Sequence, residues 1–231
     1  MPLTLISLMA TTVYLGLVFW GFEKTTASDG NLIGTLNPLF IIILGVLFLK
    51  ETVTRKEKIG LSIAVFGTLV TVIQPLLEGK AFAVENILGN TIILAATITW
   101  ALFVLFSKRN FGHFSPLLIT LHGGLVAAAT YPILAYFENG FSLPRLMPLF
   151  SNQTVFWGVF YMAFISYILA YILYVYGLNK IEISEASLFT YLQPLIATPL
   201  AVIFLHEDIT LSFAIGALLI FAGVVLSEWK L

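Results

Sequence analysis

The amino-acid sequence predicts an all-α membrane protein with eight transmembrane helices, and three observations lead to that fold class. The 231-residue chain is 59% hydrophobic and 10% charged, whereas soluble domains are about half apolar and a quarter charged. Its 11 basic and 12 acidic residues are confined to short clusters that separate eight charge-free stretches, each long enough to cross a bilayer. The alternating polarity that a membrane β-barrel requires is not visible.

The eight stretches define the predicted helices in order. Residues 1–22 lack the basic start of a signal peptide and are too long for its apolar core, so they are predicted to be the first membrane helix. Thr54 and Glu57 have capping-box spacing and predict the start of the third helix. The longest link, 138–153, contains residues typical of turns. The predicted helices are 4–22, 30–49, 59–77, 86–107, 115–137, 154–178, 186–205 and 210–228.

The basic residues predict the orientation, because cytoplasmic loops are enriched in Lys and Arg. With the N-terminus inside, eight basic residues lie on the cytoplasmic side and three on the outer side. We therefore expect a multi-pass protein of the plasma membrane with both termini in the cytoplasm. The eight are Lys50, Arg55, Lys56, Lys58, Lys108, Arg109, Lys180 and Lys230.

An internal repeat relates the two halves of the chain. "LNPLFIIILGVLFLKE" (36–51) aligns without a gap with "LQPLIATPLAVIFLHE" (192–207), at an offset of 156 residues. The two copies are five predicted helices apart, and because five is odd they are expected to cross the membrane in opposite senses. Inverted repeats are typical of secondary transporters, whose substrate site lies near the membrane midplane between the repeats.

These residues resemble a known family. A proline in mid-helix, a Phe-Leu pair, a glutamate at the helix end and a following Ile-Gly resemble the EamA-type repeat of the drug/metabolite transporter superfamily, and "ITWALFVLFSKR" (98–109) is similar to the end of the first helix of such a repeat. The resemblance implies a ten-helix bundle of two inverted five-helix repeats. The chain is then an incomplete, 3+5 version of that bundle. Residues 1–77 form a partial first repeat of three helices, and residues 84–231 form a complete second repeat of five.

The offset also predicts what the first repeat lacks. Met1 aligns with Trp157, so the counterparts of residues 86–156, with two helices, would precede Met1. We expect a truncated gene product or a partial gene model, with a natural eight-helix variant as the alternative. Whether the upstream DNA encodes two further apolar helices in frame would distinguish a carrier from a non-transporting membrane protein or an inactive fragment.

Two amide-proline pairs are the main candidates for a substrate path: Asn37-Pro38 and Gln193-Pro194, which are equivalent in the repeat. Proline alone is tolerated in membrane helices, because neighbouring groups satisfy the freed carbonyl. An amide side chain beside each proline is not needed for a kink, and polar groups at that depth must find partners in protein or in a wet cavity. We therefore expect these four residues to line the path, with simple helix packing as the alternative.

Other residues are candidates for the same cavity. Six aromatic residues could form an amphipathic wall, although those near helix ends are also common interfacial anchors: Trp100, Tyr14, Tyr167, Tyr171, Tyr174 and Tyr191. His122 lies in the fifth predicted helix, where a lone buried histidine usually just accepts or donates a hydrogen bond. For the aromatic residues and for His122, the sequence alone does not decide between a role in the cavity and a structural role.

Four further residues of the repeat are expected to be structural. The glutamates lie at helix ends, where they are expected to bond loop amides rather than substrate. The glycines are expected to be structural residues of the repeat motif. These residues are Glu51, Glu207, Gly60 and Gly216.

The sequence argues against an enzyme. No Asp, Glu, Lys or Arg lies inside a predicted helix, so acid-base groups are lacking at depth, and the three histidines have no zinc-ligand spacing. No cofactor and no metal are expected. The net charge of −1 gives no indication of nucleic-acid binding, and none is expected.

Two classes of function remain open. The first is a secondary, ATP-independent carrier of a small organic metabolite, an amino acid-like or a drug-like solute, expected to be an exporter working by alternating access. The second is a non-transporting membrane scaffold or an inactive fragment of such a carrier. The expected partners are the lipid bilayer and a small-molecule substrate, and a homodimer is left open. The cavity is expected to prefer neutral, zwitterionic or aromatic-bearing solutes.

Overall fold

The computed structural model describes residues 3–25, 27–34, 36–77, 87–139, 151–192 and 211–228. Within these ranges every regular element is a helix, in agreement with the predicted all-α class. The helices are α1 (Leu3–Glu23), α2 (Ala27–Gly34), α3 (Asn37–Leu49), α4 (Arg55–Leu77), α5 (Ile87–Asn110), α6 (Pro116–Asn139), α7 (Gln153–Lys180), α8 (Ile183–Thr190) and α9 (Leu211–Glu228).

Four helices are long and apolar enough to cross a membrane: α1, α5, α7 and the Pro116–Tyr136 part of α6. Shorter apolar helices, α3 and the Ala214–Ser227 part of α9, accompany them. Many large apolar side chains are exposed on the bundle, and such a surface suits lipid tails rather than water. The chain is thus a multi-pass membrane protein, while the number of eight spans and the side of the termini stay predictions.

Helix α5 is the centre of the bundle. It contacts α1, α2, α3, α7 and α8, and half of its apolar stretch is buried, compared with 6% for α7. Phe103, Val104 and Leu105 are at most 2% exposed. A helix that is apolar on all sides is expected to be surrounded by other helices, and α5 has that position.

The second predicted helix, 30–49, is two helices in the structure. Helix α2 ends at Gly34 and α3 begins at Asn37, with Leu36 in the turn between them. The amide of Leu36 donates to the carbonyl of Ile33 at 3.0 Å. Pro38 lies in the first turn of α3, where its missing N–H costs nothing and its fixed φ suits the helix. The proline therefore starts a helix instead of interrupting one.

The repeat found in the sequence also appears in the helix bounds. Helices α2 and α8 are equivalent at both ends, at the offset of 156 residues, and so are the starts of α4 and α9. After α8 the amide of Leu192 donates to the carbonyl of Phe189 at 3.0 Å, which is the counterpart of the bond after α2. Both short helices thus end in the same tight turn.

Helices α4 and α9 cross at glycines. A Cβ added to Gly67 would lie 2.7 Å from the carbonyl oxygen of Gly216, and Gly60 closely approaches the carbonyl oxygen of Gly223. Gly60, early in α4, meets Gly223, late in α9, and Gly67, later in α4, meets Gly216, earlier in α9. The two helices are therefore antiparallel. Small residues permit such close backbone contact. At the offset of 156, each of these two contacts is the counterpart of the other.

The start of α4 carries the capping box that the sequence predicted. The amide of Thr54 donates to the Glu57 carboxylate at 2.8 Å, and the amide of Glu57 donates to the Thr54 hydroxyl at 3.2 Å. Both bonds satisfy amides that have no partner within the helix. The helix therefore begins earlier than the predicted 59–77, because its first turn is charged and lies outside the apolar stretch.

Candidate functional site

An aromatic cluster forms where α1, α5 and α7 meet. The ring of Trp100 lies 4.8 Å from that of Tyr14 and 5.3 Å from that of Phe103, between centroids. On α7, Tyr171 and Tyr174 lie 5.9 and 5.6 Å from Trp100. Residues three apart share a helix face, so α5 and α7 each direct two aromatic side chains to the same place. We call these five residues the aromatic cluster.

Helix α3 packs beside the aromatic cluster. Ile41 and Phe40 belong to the same core as Trp100, Tyr171 and Tyr174. Their positions on α3 follow from the helix start at Asn37 and Pro38, and Pro38 is buried. The structure thus brings Tyr14 and Trp100 together, near the helix that the Asn37-Pro38 pair begins.

Two polar atoms in this region are buried without a partner. Among the described residues, no group donates to Oδ1 of Asn37, and none bonds the hydroxyl of Tyr171. Buried polar atoms without partners are rare and cost about 1–3 kcal/mol each. Each of these two atoms can still form a hydrogen bond. Aromatic faces beside unpaired polar atoms give an amphipathic site.

His122 lies elsewhere, at the contact between α6 and α1. Its Nδ1 is 2.9 Å from the hydroxyl of Ser7, which is fully buried. The same interface contains bonds from the Thr11 hydroxyl to the Ser7 carbonyl at 2.8 Å and from the Tyr131 hydroxyl to the Thr11 carbonyl at 3.1 Å. It also contains a π-helical turn, Met9–Val13. His122 is therefore a hydrogen-bonded residue of a polar helix interface.

Tyr191 does not join the aromatic cluster. It packs against Ala64 of α4 and against Ile220 and Val224 of α9. Its buried hydroxyl has no partner among the described residues. Its position after α8 brings it to the α4–α9 pair, in a different apolar cluster from that of Trp100.

Of the remaining candidates, three are not described by the structure and two lie at a helix crossing. Gln193, Pro194 and Glu207 lie outside the described residues. Gly60 and Gly216 lie in the α4–α9 crossing.

Glu51 bridges two distant parts of the chain. Its Oε1 accepts the amide of Ile183 at 2.8 Å, and its Oε2 accepts the amide and the hydroxyl of Ser184 at 3.0 and 2.8 Å. A carboxylate at a helix N-terminus satisfies free amides and is stabilised by the helix dipole. Glu51 therefore caps α8 from the end of α3.

Charges converge near this cap. Between α7 and α8, partial burial raises the pKa of Glu182, and the carboxylates of Glu51 and Glu185 raise it further. The ammonium of Lys108 acts in the opposite direction. Because Lys108 also donates to the carbonyls of Leu178 and Ile181, the cation binds the end of α7 while Glu51 binds the start of α8.

Sequence reasoning missed a buried carboxylate. The sequence analysis left Asp29 just outside the predicted helix 30–49, but in the structure Asp29 is fully buried within α2. The side-chain NH₂ of Asn90 donates to Oδ2 of Asp29 at 3.0 Å, and the Thr25 hydroxyl donates to Asn90 Oδ1. The prediction failed because α2 begins at Ala27, before the charge-free stretch. A polar Asn90 in an apolar helix was the available signal for a buried partner.

Sequence reasoning also missed Phe103, a member of the aromatic cluster. Its spacing of three residues from Trp100 could have placed it on the same face of α5. An aromatic side chain in an apolar helix gives no other sign of its role.

Proteins similar in sequence to this chain are named as transporters. The chain is 28% identical over 211 residues to the "Uncharacterized transporter YyaM" of Bacillus subtilis (strain 168), covering 90% of this chain and 67% of that protein. It is 26% identical over 211 residues to the "Probable amino-acid metabolite efflux pump" of Escherichia coli (strain K12), covering 89% of this chain and 68% of that protein. The chain thus spans about two thirds of the length of these two relatives.

A solved crystal structure has the same fold. It superposes with a TM-score of 0.81 over 99% of this chain and 76% of the other, at 17% sequence identity. The family described as the EamA-like transporter family matches residues 1–73 and 87–229. The match covers nearly all of the sequence, and the chain therefore belongs to the EamA-like transporter family.

Proposed function

We propose that the protein is a secondary carrier that exports a small organic solute, amino acid-like or drug-like, by alternating access. The observation that carries the proposal is the amphipathic site: an aromatic cluster beside the helix break at Asn37, with two buried polar atoms lacking partners among the described residues. In a transporter family, such a site is where a solute would bind. The E. coli relative named as a probable amino-acid metabolite efflux pump supports the solute class.

The chemistry of the site supports a neutral, zwitterionic or aromatic-bearing solute. Tyrosine and tryptophan rings offer large apolar faces with a polar edge. The Asn37 amide oxygen accepts a hydrogen bond, and the Tyr171 hydroxyl can donate or accept one. No member of the aromatic cluster carries a charge at neutral pH, so a strongly charged solute would lose its hydration without compensation.

The symmetry of the helices supports alternating access. The equivalent bounds of α2 and α8, and the reciprocal glycine contacts of α4 and α9, fit two repeats, 1–77 and 84–231, that are inverted with respect to each other. Antiparallel helices are exchanged by an axis perpendicular to both, which lies in the plane of a membrane that they cross. Secondary carriers with inverted repeats open alternately to the two sides by moving one repeat against the other.

The proposal is tested by transport with two matched tryptophan variants. Trp100→Phe should weaken the apparent affinity about two- to tenfold, since an aromatic contact contributes about 0.5–1.5 kcal/mol. Trp157→Phe is the control, because Trp157 lies on α7 with 56% of its surface exposed. The measurement is uptake of radiolabelled amino acids and aromatic amines by proteoliposomes. Uptake no faster than in protein-free liposomes for every solute would instead favour a non-transporting scaffold.

A further inference from the structure

At one end of the bundle, the side chains of Glu51, Lys108 and Ser184 form hydrogen bonds between separate parts of the chain. We call this end the basic end: α3, α5 and α7 finish there, and α4 and α8 begin there. Seven of the eleven basic residues lie at this end. Because cytoplasmic loops are enriched in Lys and Arg, this end is predicted to be the cytoplasmic one. Gly89, near the start of α5, packs against Lys24 at the opposite end.

Two sets of hydrogen bonds join separate parts of the chain at the basic end, and we call each set a tie. The first tie is formed by Glu51. Its three hydrogen bonds to Ile183 and Ser184 are charge-assisted, and such bonds are roughly twice as strong as neutral ones. Lys50 has a left-handed backbone, with φ at 59°, which reverses the chain so that Glu51 folds back towards α3. A Cβ on Gly45 would lie 2.6 Å from Glu51 Oε2. Both backbone features therefore serve to place this carboxylate.

The second tie is built around Lys108. Its ammonium, from the last turn of α5, donates to Leu178 at 2.9 Å and to Ile181. A cation is favourable at a helix C-terminus, where carbonyls lack partners. The chain between α7 and α8 is thus held from one side by Lys108 and from the other by Glu51.

The two ties connect α3 and α8, each of which begins or ends where the helical backbone is interrupted. Helix α3 starts at the Asn37 break and is followed, two residues after its end, by Glu51. Helix α8 starts at the Glu51 cap and ends at the turn of Tyr191 and Leu192. Separating α3 from α8 at the basic end would therefore break all three Glu51 bonds. No local rearrangement of α8 alone would preserve them.

We propose that Glu51 and Lys108 are positioning residues that form a clamp, which holds the basic end closed and must release for the substrate path to open there. The inference rests on the proposed alternating-access function. It assigns the described structure to a state closed at the basic end.

Accessibility of a single cysteine tests the clamp without any substrate. The chain contains no cysteine, so Ser187→Cys gives a unique thiol. Ser187 is 1% exposed, and its hydroxyl donates to the carbonyl of Ser184 within α8, at 2.7 Å. It lies three residues from Ser184 and so shares the face that meets Glu51. Opening between α3 and α8 should expose it.

The experiment measures the rate at which a membrane-impermeant thiol reagent labels the Ser187→Cys variant from each side of sealed vesicles. The side that corresponds to the basic end is identified separately with Arg55→Cys, at the exposed start of α4. Adding Glu51→Gln should raise labelling from that side about tenfold or more, since a glutamine has one acceptor oxygen and its NH₂ group opposes the amide donors. Labelling from the other side should fall. Lys108→Met should act in the same direction.

Glu57→Gln is the matched control. Glu57 loses the same charge at the same end, but it caps only its own helix through Thr54. If Glu57→Gln raises labelling as much as Glu51→Gln, or if both sides become equally accessible, the effect is general loosening and the clamp is overturned. An unchanged rate in folded Glu51→Gln also overturns it.

A milder variant keeps the test decisive if Glu51→Gln does not fold. Ser184→Ala removes one of the three bonds to Glu51 and should raise one-sided labelling by a smaller factor, about threefold. An unchanged rate would again overturn the clamp. Because no solute is present, failure of transport and failure of the clamp are seen separately.

Discussion

Asn37 begins α3 with its amide oxygen buried and, within the described part of the chain, without a donor. Without a hydrogen bond this oxygen does not stabilise the folded protein, and its removal from water costs free energy. A solute that donates a hydrogen bond to it would recover that cost. At the scale of single residues, this imbalance is the clearest physical reason to place the path at the start of α3.

Asn37→Leu should therefore separate binding from stability. It should weaken the apparent affinity for solute about two- to tenfold, because a hydrogen bond contributes about 0.5–1.5 kcal/mol, while thermal stability stays equal or rises. Leu47→Ile, at a position 67% exposed, is the control and should change neither. The measurement is initial transport rate against solute concentration, normalised to folded protein. Unchanged kinetics would show that Asn37 is structural.

The sequence revealed some of these residues and not others, for a physical reason. Asn37 is conspicuous because an amide in an apolar stretch needs a partner. The role of Phe103 was not visible in the same way, because aromatic residues in an apolar helix look alike whether they face lipid, core or solute. Asp29 was missed because it lies just outside a charge-free stretch but inside the helix.

At the scale of helices, the internal repeat correctly aligned the bounds of two pairs of helices, whereas the inverted arrangement of two repeats stays a prediction. The alignment at 156 residues matches the bounds of α2 with those of α8 and the starts of α4 and α9. The break before Pro38 could not be located, since a proline is compatible with a kinked helix or with a new one. The structure starts a new helix, which avoids the clash between the proline ring and the carbonyl four residues back.

The α4–α9 crossing gives a prediction about stability. Gly67→Ala should destabilise the protein by about 1–3 kcal/mol, because its Cβ would meet the backbone of α9 and the helices would have to separate. Gly158→Ala on α7 is the matched control, since nothing lies within 4 Å of its added Cβ, and it should be neutral or slightly stabilising. Thermal unfolding in detergent, followed by size-exclusion chromatography, measures both. Equal stability of the two variants would mean that the crossing is not tight.

At the scale of the whole molecule, α5 separates two chemically different ends. The charged side chains of Glu51 and Lys108 tie helices together at one end, while the buried Asp29 and Asn90 lie towards the other, near the start of α5. The aromatic cluster lies between them on the central helix. A path that passes this cluster and opens at one end at a time is what an alternating-access carrier requires.

The most direct test of this account is counterflow. Proteoliposomes loaded with an excess of one unlabelled amino acid or aromatic amine are diluted into a trace of the same solute in labelled form, and the assay is repeated for each solute of the two classes. A carrier exchanges solute across one site, so the label should accumulate transiently inside, and Trp100→Phe should shift the concentration dependence. Label entry that rises linearly with concentration, shows no transient accumulation and equals that of protein-free liposomes would contradict the account.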